Sequence, residues 1–221
     1  VADDDERCCF DDWVEGWERS LATSEVARPV TAAMLDALTD TGLGGRSVLD
    51  LGCGAGDLAV AAVRRGAASA RGFDLSTKAI EAARELATSR DVAARTTFEV
   101  GDAAVVALPT ADVVALNRVF CCYPGIDALL ERSVTAARTI YAFTVPRSRG
   151  LAGAFGRLTT SVSNVWYRIR DRKFRGFRVF IHDVDAIDAR VRDAGFRPLR
   201  RRHVRLMWEL AVYERVTPAP A

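Results

Sequence analysis

The run VLDLGCGAG, Val48 to Gly56, decides how this 221-residue chain is to be read. Val48, Leu49 and Leu51 have the apolar character of a buried strand, and the strand breaks into Gly52, Gly54 and Gly56, spaced two apart. Glycine there lets the backbone turn sharply while a ligand lies against it with no Cβ in the way. Asp57 then opens a helix over Leu58 to Arg65, so strand, turn and helix N-terminus make a nucleotide-sized cradle. The spacing departs from the G-x-G-x-x-G of dinucleotide sites, because the third glycine comes one residue early and Asp57 stands where a phosphate would be repelled. Asp50 puts a carboxylate beside the loop, which suits an ammonium group better than a diphosphate.

The following segments extend the cradle. Ala67 to Phe73 reads as a second strand ending at Asp74, with Leu75 and the N-cap candidate Ser76 starting a helix that runs through Leu86. A carboxylate about 20 residues past a glycine loop is placed to grip a ribose diol. A third strand, Thr96 to Val100, leads into Gly101, Asp102 and Ala103, and a fourth, Asp112 to Leu116, ends at Asn117. Four strands thus deliver polar or glycine residues to one sheet edge, where open α/β sheets bind ligands.

D-x-G-x-G-x-G after a strand resembles motif I of the class I S-adenosylmethionine-dependent methyltransferases. The resemblance implies an α/β fold with a Rossmann-like sheet of seven strands, the last antiparallel, carrying an N-terminal helical segment and an inserted lid helix. It also implies S-adenosyl-L-methionine as cofactor and S-adenosyl-L-homocysteine as product. On that likeness Asp50, Gly52, Cys53, Gly54 and Gly56 lie at the methionine part, Asp74 and Leu75 at the ribose, Asp102 and Ala103 at the adenine, and Asn117 at the fourth strand's end.

Length and a 49% hydrophobic content fit one domain. Its expected parts are a helical cap (1–45), a cofactor core (46–145), an inserted lid (146–182) and a C-terminal helix with a strand pair (183–221). Helices are expected over Ile126 to Ala137 and Asp185 to Ala194, and strands over Thr139 to Val145, Pro198 to Arg205 and Met207 to Arg215. No apolar run reaches the length of a membrane span and no basic segment followed by an apolar stretch suggests export, so a cytoplasmic enzyme is expected. Five cysteines, two adjacent pairs plus Cys53, form no disulfide framework and lack the C-x-x-C spacing of structural zinc, so no metal is expected. Monomer and dimer both stay open.

Outside the core, Phe10, Trp13, Val14, Trp17 and Leu21 recur at helical spacing, and Val30 to Leu38 makes a further helix after Pro29. Leu151, Phe155, Leu158, Val162, Val165, Trp166 and Ile169 mark an amphipathic helix. These stripes either pack on the sheet or cover the substrate, as insertions at such places do in the resembled family. The stretch NRVFCCYPG, Asn117 to Gly125, lies where the transferred methyl should emerge. Tyr123 is the candidate to hydrogen-bond the acceptor and His182 the candidate to take its proton. Phe10, Trp13, Trp17, Arg118, Cys121, Cys122 and Arg178 are the expected substrate contacts. Two runs, Cys121-Cys122-Tyr123-Pro124 and Phe177-Arg178-Val179-Phe180-x-His182, are similar to those of a bacterial set of class I methyltransferases. A looser likeness to magnesium-protoporphyrin O-methyltransferase implies a porphyrin carboxylate as one acceptor. The basic stretch Arg168 to Arg178 keeps an RNA or other nucleic-acid partner as an alternative, but the net charge of +2 and the lack of a separate recognition module favour a small-molecule acceptor, methylated in line.

Overall fold

The computed structural model describes residues 25, 26, 28–169 and 177–216. Its centre is a seven-stranded sheet in the order β3-β2-β1-β4-β5-β7-β6, with strands β1 Ser47–Leu51, β2 Ser69–Asp74, β3 Thr96–Val100, β4 Ala111–Asn117, β5 Ala137–Pro146, β6 Phe196–Val204 and β7 Trp208–Arg215. The pairs among β1 to β5 are parallel, and β7 runs antiparallel to both neighbours. The chain reverses its order after β3, and the C-terminal ends of β1, β2 and β4 meet at that switch point.

Side chains alternate across the pleat, and the alternation divides the core in two. Val48, Val113, Ala115, Ile140 and Val212 face one layer, with helices α1 Pro29–Asp40, α2 Asp57–Arg64 and α3 Thr77–Ser89. Leu49, Leu51, Val114, Leu116, Tyr141, Phe143 and Tyr213 face the other, with α4 Asp127–Ala136 and α6 Val184–Asp193. In this second layer Phe143 stacks on Tyr213 at 5.7 Å between centroids, a contact worth about 0.5–1.5 kcal/mol beyond its burial. The Tyr213 hydroxyl donates to Asp188 at 2.7 Å, so its polar end is satisfied.

Several boundaries differ from the sequence expectation. Helix α4 ends at Ala136 and β5 begins at once at Ala137. The sixth strand starts at Phe196 and takes in Pro198, which the edge position tolerates because no neighbour needs its missing N–H; the register shifts between Pro198 and Arg200. Helix α5, Gly150–Ile169, confirms an amphipathic stripe, but the stripe does not pack on the sheet: Leu151, Phe155, Leu158, Val162, Val165, Trp166 and Ile169 are all exposed. The close side of α5 is its glycines, since a Cβ on Gly153 would lie 2.3 Å from the Ser148 backbone. Phe10, Trp13 and Trp17 fall outside the described residues. No helix of the described residues is long and apolar enough to cross a membrane.

Candidate active site

The glycine loop follows β1 with all three glycines left-handed, at φ 69° for Gly52, 53° for Gly54 and 77° for Gly56. Side chains there would also collide. A Cβ on Gly52 would lie 2.5 Å from Val119 Cγ2, and one on Gly56 would lie 2.8 Å from Ala83 Cβ. The Gly52 and Cys53 amides donate to the Phe73 carbonyl at 2.8 and 3.0 Å, and the Gly54 amide donates to Asp74 Oδ2 at 2.8 Å. Asp74 Oδ1 accepts from the Ser76 amide at 3.0 Å, and Ser76 in turn caps α3 through Ala79 N–H. The loop is therefore fastened to the end of β2 before any ligand arrives.

A cleft of about 1120 Å³, open mouth included, lies over these strand ends. Its wall takes in Asp50, Gly52, Cys53, Gly54, Asp74, Leu75, Ala103, Asn117, Arg118, Cys122 and Tyr123, which the sequence reading had singled out. Gly56 and Asp102 sit just behind the wall. Gly56 is the N-cap of α2, and Asp102 accepts the Tyr123 hydroxyl at 2.8 Å.

Asp50 is the most informative side chain of the site. It is 1% exposed, and its Oδ2 has no hydrogen-bond partner among the described residues. Burial first, and then the neighbouring Asp57 and Asp74 carboxylates, push its carboxyl well above the usual range, against the pull of the Ala59 amide. Such an arrangement is costly unless a cation completes it. The ammonium of a methionine moiety is a cation of the right size, and the glycine loop beside it leaves room for that moiety's chain. The carboxylates of Asp50 and Asp74 along one cleft, with Asp102 next to its wall residues Gly101 and Ala103, therefore fit S-adenosylmethionine.

Asn117 anchors rather than reaches. Its Nδ2 donates to Thr31 Oγ1 at 2.8 Å and its Oδ1 accepts from Thr144 Oγ1 at 2.9 Å. Thr144 Oγ1 also accepts the Arg118 amide at 2.8 Å, holding Arg118 at φ 66°, left-handed for a non-glycine residue. The Arg118 guanidinium stacks on Trp208 at 5.1 Å. Arg28, which sequence reasoning missed, lines the same wall. Its guanidinium is shifted below its ordinary value by burial and by the nearby Arg118 charge. Thr31 and Phe177 also join the wall without having been expected there.

Of the two expected catalytic groups, His182 needs correction. His182 does not line the cleft; its Nε2 lies 2.9 Å from both the Phe120 and the Tyr123 carbonyl oxygens. Both partners only accept, so Nε2 carries the hydrogen and does not face an acceptor as a base. Tyr123 does face the cleft, but burial and the adjoining Asp102 carboxylate raise its hydroxyl far above the ordinary phenol range. It stays protonated and acts as a donor. Of the expected substrate contacts, Cys121 is buried behind the wall and Arg178 turns its guanidinium to the Phe177 carbonyl at 2.7 Å.

The two signature runs prove to be one unit. The Phe180 amide donates to the Cys121 carbonyl at 2.8 Å, and His182 closes on both sides of Cys121-Cys122 as above. Asn164 of α5 holds the same strip through Val179, accepting its amide at 2.9 Å and donating to its carbonyl at 2.8 Å. The strip thus joins α5 to the loop after β4.

Comparison with known proteins places this geometry. A family model for ribosomal protein L11 methyltransferase (PrmA) matches residues 27–120. A protein of that name from Edwardsiella ictaluri is 32% identical over 152 residues, 69% of this chain and 47% of the relative. Another from Shewanella amazonensis is 43% identical over 72 residues, 33% of this chain and 24% of the relative. The chain therefore spans less than half the length of these curated relatives. Among solved structures, magnesium protoporphyrin IX methyltransferase from Synechocystis PCC 6803 with bound S-adenosylhomocysteine superposes with a TM-score of 0.69 at 19% identity, covering 95% of each chain. Geranyl diphosphate C-methyltransferase from Streptomyces coelicolor A3(2) gives 0.63 at 14% identity, covering 84% of this chain and 77% of that one. At such identities the likeness concerns the fold. With the sequence match over the glycine loop and the strand order in agreement, the chain belongs to the class I S-adenosylmethionine-dependent methyltransferases.

Proposed function

We propose that the chain moves a methyl group from S-adenosylmethionine to a nucleophile that enters between the loop after β4 and helix α5. The observation that carries the reading is the buried Asp50 oxygen, without a hydrogen-bond partner among the described residues, beside the fastened glycine loop. The cofactor, when bound, supplies an electrophilic methyl on a sulfonium and its own leaving group. The residues then have three tasks: to hold the cofactor, to align the acceptor in line, and to exclude water. Asp50 takes the ammonium, Asp74 the ribose diol and Asp102 the adenine amino group. The Tyr123 hydroxyl, at the wall, gives its one hydrogen to Asp102 and steadies that carboxylate. Neither Tyr123 nor His182 is placed to take a proton from the acceptor.

Two acceptor classes have separate support. The curated relatives are named for ribosomal protein L11, and by analogy a protein amine is the acceptor we favour. The small-molecule acceptor expected from the sequence has no support from these relatives and rests on the wall itself. There Arg28 and Arg118 both contribute to the wall beside Asp57, which makes an anionic acceptor the small-molecule class to test. Titration calorimetry with S-adenosylhomocysteine tests the cofactor reading, and a folded chain that binds none overturns it. Transfer of label from methyl-labelled S-adenosylmethionine to purified L11, measured beside transfer to a deproteinised small-molecule extract, separates the acceptors. Label in the extract and none in L11 overturns the protein-amine reading.

A further inference from the structure

Cys121 and Cys122 lie in the 3-10 turn Phe120–Cys122, just before Tyr123. Their sulfurs are 3.8 Å apart, and both approach one carbonyl, that of Arg118, at 3.3 and 3.6 Å. Cys122 forms part of the cleft wall and Cys121 is buried behind it. The turn is held from outside by the Phe180 amide and by His182, so the two thiols are preorganised rather than free to splay.

Two thiolates with bonds of about 2.3 Å stand about 3.8 Å apart on a tetrahedral centre and about 3.3–3.5 Å apart at the narrower angles of a pyramidal trivalent one, so this pair is within a few tenths of an ångström of chelating distance. A zinc ion needs more ligands, and among the described residues no group of three or more His, Cys, Asp or Glu side chains could hold a metal ion. Two thiols do complete a soft trivalent metalloid that brings its third substituent with it.

We propose that Cys121 and Cys122 form a dithiol site for trivalent arsenicals, and that an arsenical held there and the cofactor exclude each other. The step is a double substitution. Each sulfur forms a bond to arsenic, each of two arsenic–hydroxyl bonds breaks, and each thiol proton leaves with a hydroxide as water. Arsenic stays trivalent, and nothing is oxidised or reduced. Cys122, which lines the cleft, meets the arsenical first, and Cys121 behind it closes the ring; the hydrogen bond from Cys122 and the Arg118 charge lower the Cys121 thiol against burial. The same contact, with burial, raises Cys122. Exclusion arises because Cys122 shares the wall with Asp74, where the ribose is to lie.

The test uses the full chain with Cys8 and Cys9 changed to serine, so that one adjacent pair remains, and phenylarsine oxide as the probe, read by intact mass. One adduct per chain is expected. It should survive excess monothiol, be removed by a dithiol, and be held at least about tenfold less well in both C121S and C122S, as chelation requires. Saturating S-adenosylhomocysteine should slow its formation at least about tenfold. A parent chain that takes no adduct, or a folded C121S or C122S chain that retains it as the parent does, overturns the site. Should C121S fail to fold, C122S decides, since Cys122 is only partly buried. Labelling that is undiminished while calorimetry shows S-adenosylhomocysteine bound overturns the exclusion. Where calorimetry shows no binding, the cofactor reading has failed and the adduct results alone judge the site.

Discussion

Gly52→Ala tests whether the loop's conformation and its contact with the segment after β4 are separate requirements. At φ 69° an alanine would take the left-handed region, at about 1–2 kcal/mol. Its Cβ would also stand 2.5 Å from Val119 Cγ2 and 3.3 Å from Cγ1. Val119 is buried and branched at Cβ, so it has no easy rotamer to move into. Overpacking of this kind costs about 1–3 kcal/mol, and the two effects together give about 2–5 kcal/mol. In a Val119→Ala background the collision disappears and the backbone part remains, so the same substitution should cost only about 1–2 kcal/mol. The difference, about 1–3 kcal/mol of favourable coupling, is read from urea midpoints and slopes of the four proteins in a double-mutant cycle. Equal costs in both backgrounds would show that Val119 does not oppose the Cβ. A cost below about 0.5 kcal/mol in the parent would refute the backbone argument as well.

For Asp50, burial and two neighbouring carboxylates raise the folded-state carboxyl, so the folded chain binds more protons than the unfolded one over that interval. The ligand-free protein should lose stability as pH rises from about 4 through the raised value; Asp50→Asn should flatten that loss in urea titrations and weaken S-adenosylhomocysteine about tenfold or more, and an unchanged affinity would remove Asp50 from the ammonium site. Asp188 behaves oppositely, because burial works against its carboxylate but the Tyr213 hydroxyl and Arg192 outweigh it and lower the group. Its stabilisation is present above about pH 3.9 and disappears as pH falls from there through the lowered value; Asp188→Asn should reduce that acid sensitivity in thermal melts, and an identical acid limb would refute the role. His182→Ala should cost about 1–3 kcal/mol by urea unfolding, since two carbonyls lose their donor, and a loss under about 0.3 kcal/mol would mean that the hydrogen bonds do not hold the loop.

The cofactor half of the site was legible because its signal is local. Asp50, the glycines and Asp74 lie on two consecutive strand ends, and the order strand, turn, helix places them with no knowledge of distant contacts. The acceptor half depends on pairings that no short stretch encodes. Arg28 reaches the wall because α1 docks on the end of β4 through Thr31 and Asn117, residues 86 apart in the chain. Before Pro29 that arginine carried no sequence signal beyond a helix start. His182 was misread for a related reason: an isolated imidazole suggests proton transfer, and only contacts to carbonyls 62 and 59 residues away show what engages its Nε2. A signal was nonetheless present, in the joint occurrence of Cys-Cys-Tyr-Pro and Phe-Arg-Val-Phe-x-His. The match to the Shewanella protein covers 72 residues, a third of the chain, and the family model stops at Phe120, before Tyr123 and the strip that closes on it. What the family model has in common with this chain is therefore mainly how the cofactor is held. On the proposed function the acceptor enters beside the unit that Cys121 to Pro124 forms with Phe177 to His182, so acceptor assays on variants of that unit test specificity in a way that changes in the glycine loop do not.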